Sequence, residues 1–372
     1  MNFGADCRRH WMLQDDATYL NHGAFGATPR PVLQAQQALR DQMERQPLDF
    51  FVRQLPQLTR DAADALAAYV GAQQVMLVDN ATTGVNAVLR SLPLKAGDRI
   101  VTLSHVYPAV NRTLEYVCQR TGAQLEFVQL DVPADADQLL ERLDEALPAR
   151  LAVLDHVTSG SGLVLPIERM VRLCQERGTQ VLVDGAHAPG MVPLQLDALD
   201  ADWYVGNCHK WLCAPKGVAL LHANAAGREH LQPTVISHSF PDVVAGFDFL
   251  GTRDYTPWLS LPATLAFREE LGDEAVMRHN HALALRARSL LLESFGTPVS
   301  GPESMVGSLS CLRVPDGRGE PTWEGAAALN NRLWSQHRIE VPFFPFNGGL
   351  WMRVSAQVYN HLDEYRRLNA VL

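Results

Sequence analysis

From about residue 60, short apolar runs rich in β-branched residues alternate with amphipathic stretches at helical spacing, the pattern of strand followed by crossover helix. Predicted strands lie at 75–78, 99–103, 124–129, 151–155, 180–184, 203–206 and 218–221, with amphipathic segments at 85–92, 109–121, 137–147 and 167–177. The strands are near-continuous apolar runs, as expected when helices cover both faces of a mostly parallel sheet. The fold class is therefore α/β, and a ligand is expected at the carboxyl ends of the strands. After about residue 255 the pattern changes to longer helical stretches (263–271 and 274–295) and shorter strands (308–314 and 350–355). That shift divides the chain into a large α/β domain over 20–255 and a smaller α+β domain made of 1–19 and 256–372.

Composition narrows the function classes. The 372 residues carry 32 Lys+Arg against 41 Asp+Glu, a net charge of −9, with no basic stretch that would track a phosphate backbone, so nucleic acid is not an expected partner. No run approaches the roughly 18 apolar residues of a membrane span. The polar opening MNFGADCRRHWMLQDD does not read as a secretory signal, and six cysteines without a C-x-x-C pair suit a reducing compartment. The expectation is a cytoplasmic protein acting on a small molecule.

Polar clusters stand where predicted strands end: Asn80-Ala81-Thr82-Thr83-Gly84, His105 to Tyr107, Asp155 to Ser161, Asp184-Gly185-Ala186-His187, Asn207-Cys208-His209-Lys210 and Gly251-Thr252-Arg253-Asp254. In a parallel sheet they converge on one edge. Asp184 emerges directly from the buried run TQVLVD, so its carboxylate needs a cationic or hydrogen-bonded partner; Asp-Gly also suits a turn. Lys210 follows WYVGN and precedes Trp211 and Leu212, a setting that desolvates the amine, lowers its pKa and makes it a nucleophile for a carbonyl. A snorkelling surface lysine is the alternative. The helix start at Asn80 to Gly84 offers N–H groups, a favourable dipole and two hydroxyls to an anion, or else an ordinary N-cap. A phosphate anchor, a strand-end aspartate and a lysine in a second strand-end loop together specify pyridoxal 5'-phosphate chemistry.

On these motifs the sequence resembles the fold type I, class V aminotransferase-like enzymes, within them the isopenicillin N epimerase-like and cysteine desulfurase-like branch. The resemblance runs from Leu20-Asn21-His22-Gly23 to Arg353-Val354-Ser355 and Tyr359-Asn360. VDGAHAPG at 183–190 and the His209-Lys210 pair are its most specific pieces. It implies a fold type I PLP-dependent transferase architecture: a mostly parallel central sheet in a three-layer α/β/α large domain, with a smaller α+β C-terminal domain. It also implies that Lys210 forms the Schiff base, that Asp184 faces the ring nitrogen and that His187 lies near the ring hydroxyl. By the same resemblance Thr82 and Thr83 bind the phosphate with His209 and Asn207, and Tyr107 stacks on the pyridine, with His105 as the alternative. Ser159, or its neighbour Thr158, approaches the ring oxygen. Thr252 matches a threonine donated across a homodimer interface, Arg353 an arginine that grips a substrate α-carboxylate, and Asn21 and His22 the substrate-side loop.

The expected reaction removes the Cα proton of an amino acid or amino-acid-derived substrate. Reprotonation gives epimerisation or racemisation, the main reading; loss of a β substituent gives C–S lyase chemistry, and proton delivery to the cofactor gives transamination. Persulfide-forming desulfuration is disfavoured because 341–352 (VPFFPFNGGLWM) has no cysteine and Cys311 lies upstream in a predicted strand. Phe343, Phe344, Phe346 and Trp351 are read as core or as pocket lining. No H-E-x-x-H or paired Cys/His spacing supports a metal centre, and Ser159-Gly160-Ser161-Gly162 is out of register for a G-x-S-x-G elbow. A cofactor-holding binding protein without catalysis is the rival from another class.

Overall fold

Along the central strands, successive side chains alternate between two apolar clusters: Val101, Leu103, Ala152, Leu154, Val181 and Val183 enter one, while Ile100, Leu151, Val153 and Leu182 enter the other. With period two, both faces of such a sheet are buried. The computed structural model, which describes residues 3–372, shows a seven-stranded sheet. Its strands are β1 (Met76–Val78), β2 (Arg99–Leu103), β3 (Gln124–Val128), β4 (Leu151–Asp155), β5 (Gln180–Asp184), β6 (Trp203–Asn207) and β7 (Ala219–Ala223). They are ordered β1-β7-β6-β5-β4-β2-β3. Every pairing from β6 across to β3 is parallel, and β7 alone runs antiparallel to its neighbours. The three-layer α/β/α architecture expected from the sequence is the one observed.

The helices that matter most for the site are α1 (Arg30–Arg45), α2 (Leu55–Tyr69), α3 (Ala81–Ser91), α4 (Pro108–Thr121), α5 (Ala136–Glu145) and α6 (Ile167–Glu176). Helix α3 starts because extended Asn80 turns its Oδ1 onto the Thr83 N–H at 2.8 Å; α4 opens on Pro108 and closes on left-handed Gly122. The helix start expected at Asn80 to Gly84 is observed, and the amphipathic stretch at 85–92 covers the later turns of α3. Its first turn, Ala81 to Gly84, is the capped and polar part that apolar periodicity does not mark.

The C-terminal part holds a three-stranded antiparallel sheet of β8 (Leu309–Arg313), β9 (Phe343–Phe346) and β10 (Gly349–Ser355), in the order β9-β10-β8. Leu312, Met352 and Val354 pack with Leu283, Leu291, Leu333 and Tyr365 in a separate core cluster. Those helical residues lie on α8 (Asp273–Phe295), α9 (Trp323–His337) and α10 (Leu362–Val371), which follow α7 (Leu261–Leu271). The N-terminal Thr18–Tyr19 joins this part by pairing with Ile339–Glu340. The expected boundary at residue 256 is not where packing changes: Trp258, Leu259 and Leu261 belong to the core of the large sheet, and α7 lies against α1 and α2. Composition shifts before packing does, because α7 is a helix of the large layer that no strand follows.

Candidate active site

A cavity of about 560 Å³ opens at the carboxyl ends of β1, β4, β5 and β6. Its wall brings together Thr82, Thr83, Tyr107, Ser159, Asp184, His187, Asn207, His209 and Lys210. It does not include Asn21, His22, Thr252 or Arg353.

Lys210 follows β6 in a turn fastened to β7, where the Cys208 N–H donates to Val218 C=O at 3.0 Å. Gly26 makes the approach of the N-terminal segment possible: at φ +69°, a Cβ there would fall 1.9 Å from the His209 carbonyl oxygen. The Lys210 side chain is buried, and burial first, then the Arg353 charge, push its pKa down to about 7 against the opposing pull of Asp184. Its Nζ lies 3.1 Å from His187 Nε2. On the other side of that ring, the Trp211 indole N–H donates to His187 Nδ1 at 3.2 Å. An imidazole that accepts at Nδ1 carries its proton on Nε2, which then donates to the lysine lone pair. Trp211 thus fixes the tautomer in which His187 donates to Lys210 and favours its free-amine form.

Asp184 at the end of β5 is buried and accepts one backbone hydrogen bond, from the Ala186 N–H at 2.9 Å. Burial raises its pKa, and the Ala186 bond and Lys210 partly restrain it. At the other end of the cavity, Asn207 Oδ1 accepts from the Ala81 N–H at 2.8 Å and Asn80 takes that of Thr83. Asn207 therefore ties β6 to the start of α3, while Thr82 and Thr83 line the cavity at the positive end of that helix. His209 Nδ1 donates to Val218 C=O at 3.1 Å, and burial lowers its pKa to about 4.

Tyr107 lies in the wall. His105 does not: it sits 2.9 Å from Ser161 Oγ and edge-on to Phe346. Thr158 is spent within its own turn, its Oγ1 accepting from the Leu163 N–H at 2.9 Å, which leaves Ser159 at the wall. His22 is fully buried behind the lysine, its Nε2–H donating to Lys210 C=O at 3.0 Å and its Nδ1 accepting from the Tyr359 hydroxyl at 2.8 Å. It braces the lysine turn and does not reach the wall. Asn21 donates to Glu340 at 3.2 Å. Thr252 is exposed on a loop whose Arg253 pairs with Asp79 at the cavity rim at 2.5 Å.

Arg353 on β10 is buried behind Ser159, whose carbonyl accepts from its Nη1. Its Nε has no partner, and its guanidinium lies 5.3 Å from the Phe344 ring centre. Burial lowers its pKa to about 10; Cys311, Tyr107 and Tyr19 oppose that shift, Lys210 and His187 feel its charge, and among the described residues no carboxylate pairs with it. Cys311 pairs with Arg353 in register across β8 and β10, and burial pushes its thiol up to about 12, so it is no ready thiolate. The cysteine-free stretch is a β-hairpin: Phe343 enters the core and Phe346 stacks on Trp351 at 4.6 Å. Sequence reading missed Lys216, Asp79 and Phe25 in the wall; Pro-Lys-Gly at the turn into β7 was the available signal for the first.

A sequence model of the family described as "Aminotransferase class-V" matches residues 18–319. The chain belongs to that family. It is 32% identical to isopenicillin N epimerase of Streptomyces clavuligerus, over 98% of this chain and 96% of the relative. It is 31% identical to a probable chloroplastic L-cysteine desulfhydrase of Arabidopsis thaliana, over 95% of this chain and 82% of the relative. Among solved structures, a mutant of C-DES with glycine linked covalently to the PLP cofactor superposes with a TM-score of 0.84 at 22% identity, covering 98% of both chains. The protein is a PLP-dependent enzyme of class V with the fold type I architecture. Its own residues fit the cofactor: a desolvated amine, a buried carboxylate needing a cation and a capped helix start share one cavity.

Proposed function

We propose that the protein epimerises or racemises an amino acid or an amino-acid-derived substrate at Cα. The observation that carries this reading is Arg353, a buried guanidinium with no carboxylate partner among the described residues, whose charge reaches a lysine with a pKa lowered to about 7; an uncompensated buried cation is stabilised when a carboxylate docks on it. A substrate held there by its α-carboxylate presents Cα to Lys210. When bound, pyridoxal phosphate supplies the electron sink that acidifies the Cα proton. Lys210 would hold the cofactor and, with its pKa lowered to about 7 and His187 beside it, would serve as the base at Cα. Asp184 would hold the ring nitrogen, Thr82, Thr83 and His209 the phosphate, Tyr107 the ring face, and Ser159 and His187 the ring oxygen.

β-Elimination from a sulfur-bearing amino acid is the second reading, favoured by the desulfhydrase relatives and by the lack of a cysteine in the β9–β10 hairpin, so that sulfide would leave without a persulfide on the protein. We extend the proposal to a cytoplasmic homodimer in which Thr252 reaches the partner's cofactor. Phe25, 73% exposed although it borders the cavity, and the tethering of the Thr252 loop to the cavity rim support that assembly. The thiols of Cys118, Cys174, Cys208, Cys213 and Cys311 are free, and among the described residues no helix is long and apolar enough to cross a membrane.

Incubation with amino acids in heavy water tests the reading: deuterium at Cα with both configurations in the product is expected. Release of sulfide and ammonia without inversion selects elimination, and no exchange from any amino acid contradicts both. Asp184→Ala should weaken cofactor retention on dialysis and cut Cα exchange by roughly 10²-fold or more, because the ring nitrogen loses its counter-charge. Unchanged exchange would remove Asp184 from that role.

A further inference from the structure

The strands LAVLD and QVLVD run side by side and in parallel, with Asp155 and Asp184 as register partners at their carboxyl ends. Side chains at one register position of adjacent parallel strands point to the same face, and both carboxyls line the same cavity. Both are buried, at 3% and 4% exposure. Their surroundings differ. Asp184 accepts the Ala186 N–H and lies in the field of Lys210 whenever that amine is protonated, whereas Asp155 has only its own backbone N–H and its Oδ2 is a buried oxygen with no partner.

We infer that Asp155 is a second carboxyl group of the cofactor site, kept as the uncharged acid beside an ionised Asp184, so that the cavity offers the ring nitrogen one negative charge and not two. The inference rests on the proposed pairing of Asp184 with that nitrogen. Two carboxylates sharing a buried site cannot both ionise without a second cation, and the proton stays on the one with fewer stabilising contacts. Burial and the Asp184 charge both push the Asp155 carboxyl well up. The other ionisable groups packed around the pair do not supply that cation. Tyr204 on β6 lies 2.8 Å from His156 Nδ1, and burial keeps His156 and His187 neutral. Lys210 is the amine that acts on Asp184 and is drawn toward its free form, while Lys216 lines the same cavity with its Nζ 3.3 Å from Thr28 Oγ1 and acts on neither carboxyl. A metal does not account for the pair either, since among the described residues no group of three His, Cys, Asp or Glu side chains could hold one. Asp155 is thus a positioning residue that acts through Asp184: it sets the charge beneath the heterocycle.

The test uses the full-length, cofactor-loaded protein made with ¹³C-carboxyl aspartate and ¹⁵N-labelled pyridoxal phosphate. One aspartate carboxyl should remain protonated at pH 7, and its signal should be lost in Asp155→Asn. If that variant does not fold, Asp155→Glu does the same service, because the acid then leaves the labelled aspartate set. Aspartates that are all ionised at pH 7, or a protonated signal that persists in both variants, would overturn the inference. The ¹⁵N signal keeps this outcome separate from the role of Asp184: a protonated ring nitrogen without a protonated aspartate refutes the inference alone, while an unprotonated ring nitrogen refutes the pairing on which it rests.

Discussion

Lys210→Ala abolishes the visible absorption of the cofactor-loaded protein and lowers Cα deuterium exchange by about 10³-fold or more, the combined cost of losing the amine that holds the cofactor and the base that removes the proton. The expectation follows from the state of the amine. Burial and Arg353 bring its pKa down to about 7, and the Trp211-fixed tautomer of His187 favours the free base. Recapture of cofactor by the apoprotein should therefore accelerate as pH rises through 7 and level off above it, since the reactive form is the deprotonated one; below that point the rate falls about tenfold per pH unit. Stopped-flow absorbance checks both statements. A rate that keeps rising to pH 10 would mean an ordinary solvated lysine, and His187→Phe should move the midpoint toward that behaviour.

Arg353→Met raises KM for α-carboxylate substrates by roughly 10- to 1000-fold, about 1.4 kcal/mol for each factor of ten. The apolar replacement keeps the stem volume while removing a buried charge that has no acid partner, so the melting temperature of the variant should hold or rise. That pairing of weaker binding with undiminished stability separates a substrate grip from a structural arginine. If substrate binding and thermal stability are lost together, or if substrates without a carboxylate suffer equally, Arg353 holds the fold and not the substrate.

The layers of the fold could be read in the chain because β4, β5 and β6 are continuous apolar runs and α4 to α6 keep helical spacing. Strand order could not be read, since the antiparallel direction of β7 depends on the turn that carries Lys210 back along the sheet edge. Within the site, strand-end residues such as Asp184, Thr82 and Lys210 were legible by position. Asp155 stood in the same kind of place but gained meaning only when register set it beside Asp184. His22 shows the opposite case: a polar residue near a family motif whose two ring nitrogens are both spent inside the protein. Arg353 could be named from its motif, but its isolation from any carboxylate is a property of packing between the small sheet and the Ser159 turn.

The identity of the side chain that carries the cofactor decides the chemistry of this cavity. Borohydride reduction of the purified protein followed by peptide mass mapping should place the pyridoxyl phosphate mass on Lys210. An adduct on Lys216 or Lys95, or no adduct in protein that absorbs in the visible, would contradict it.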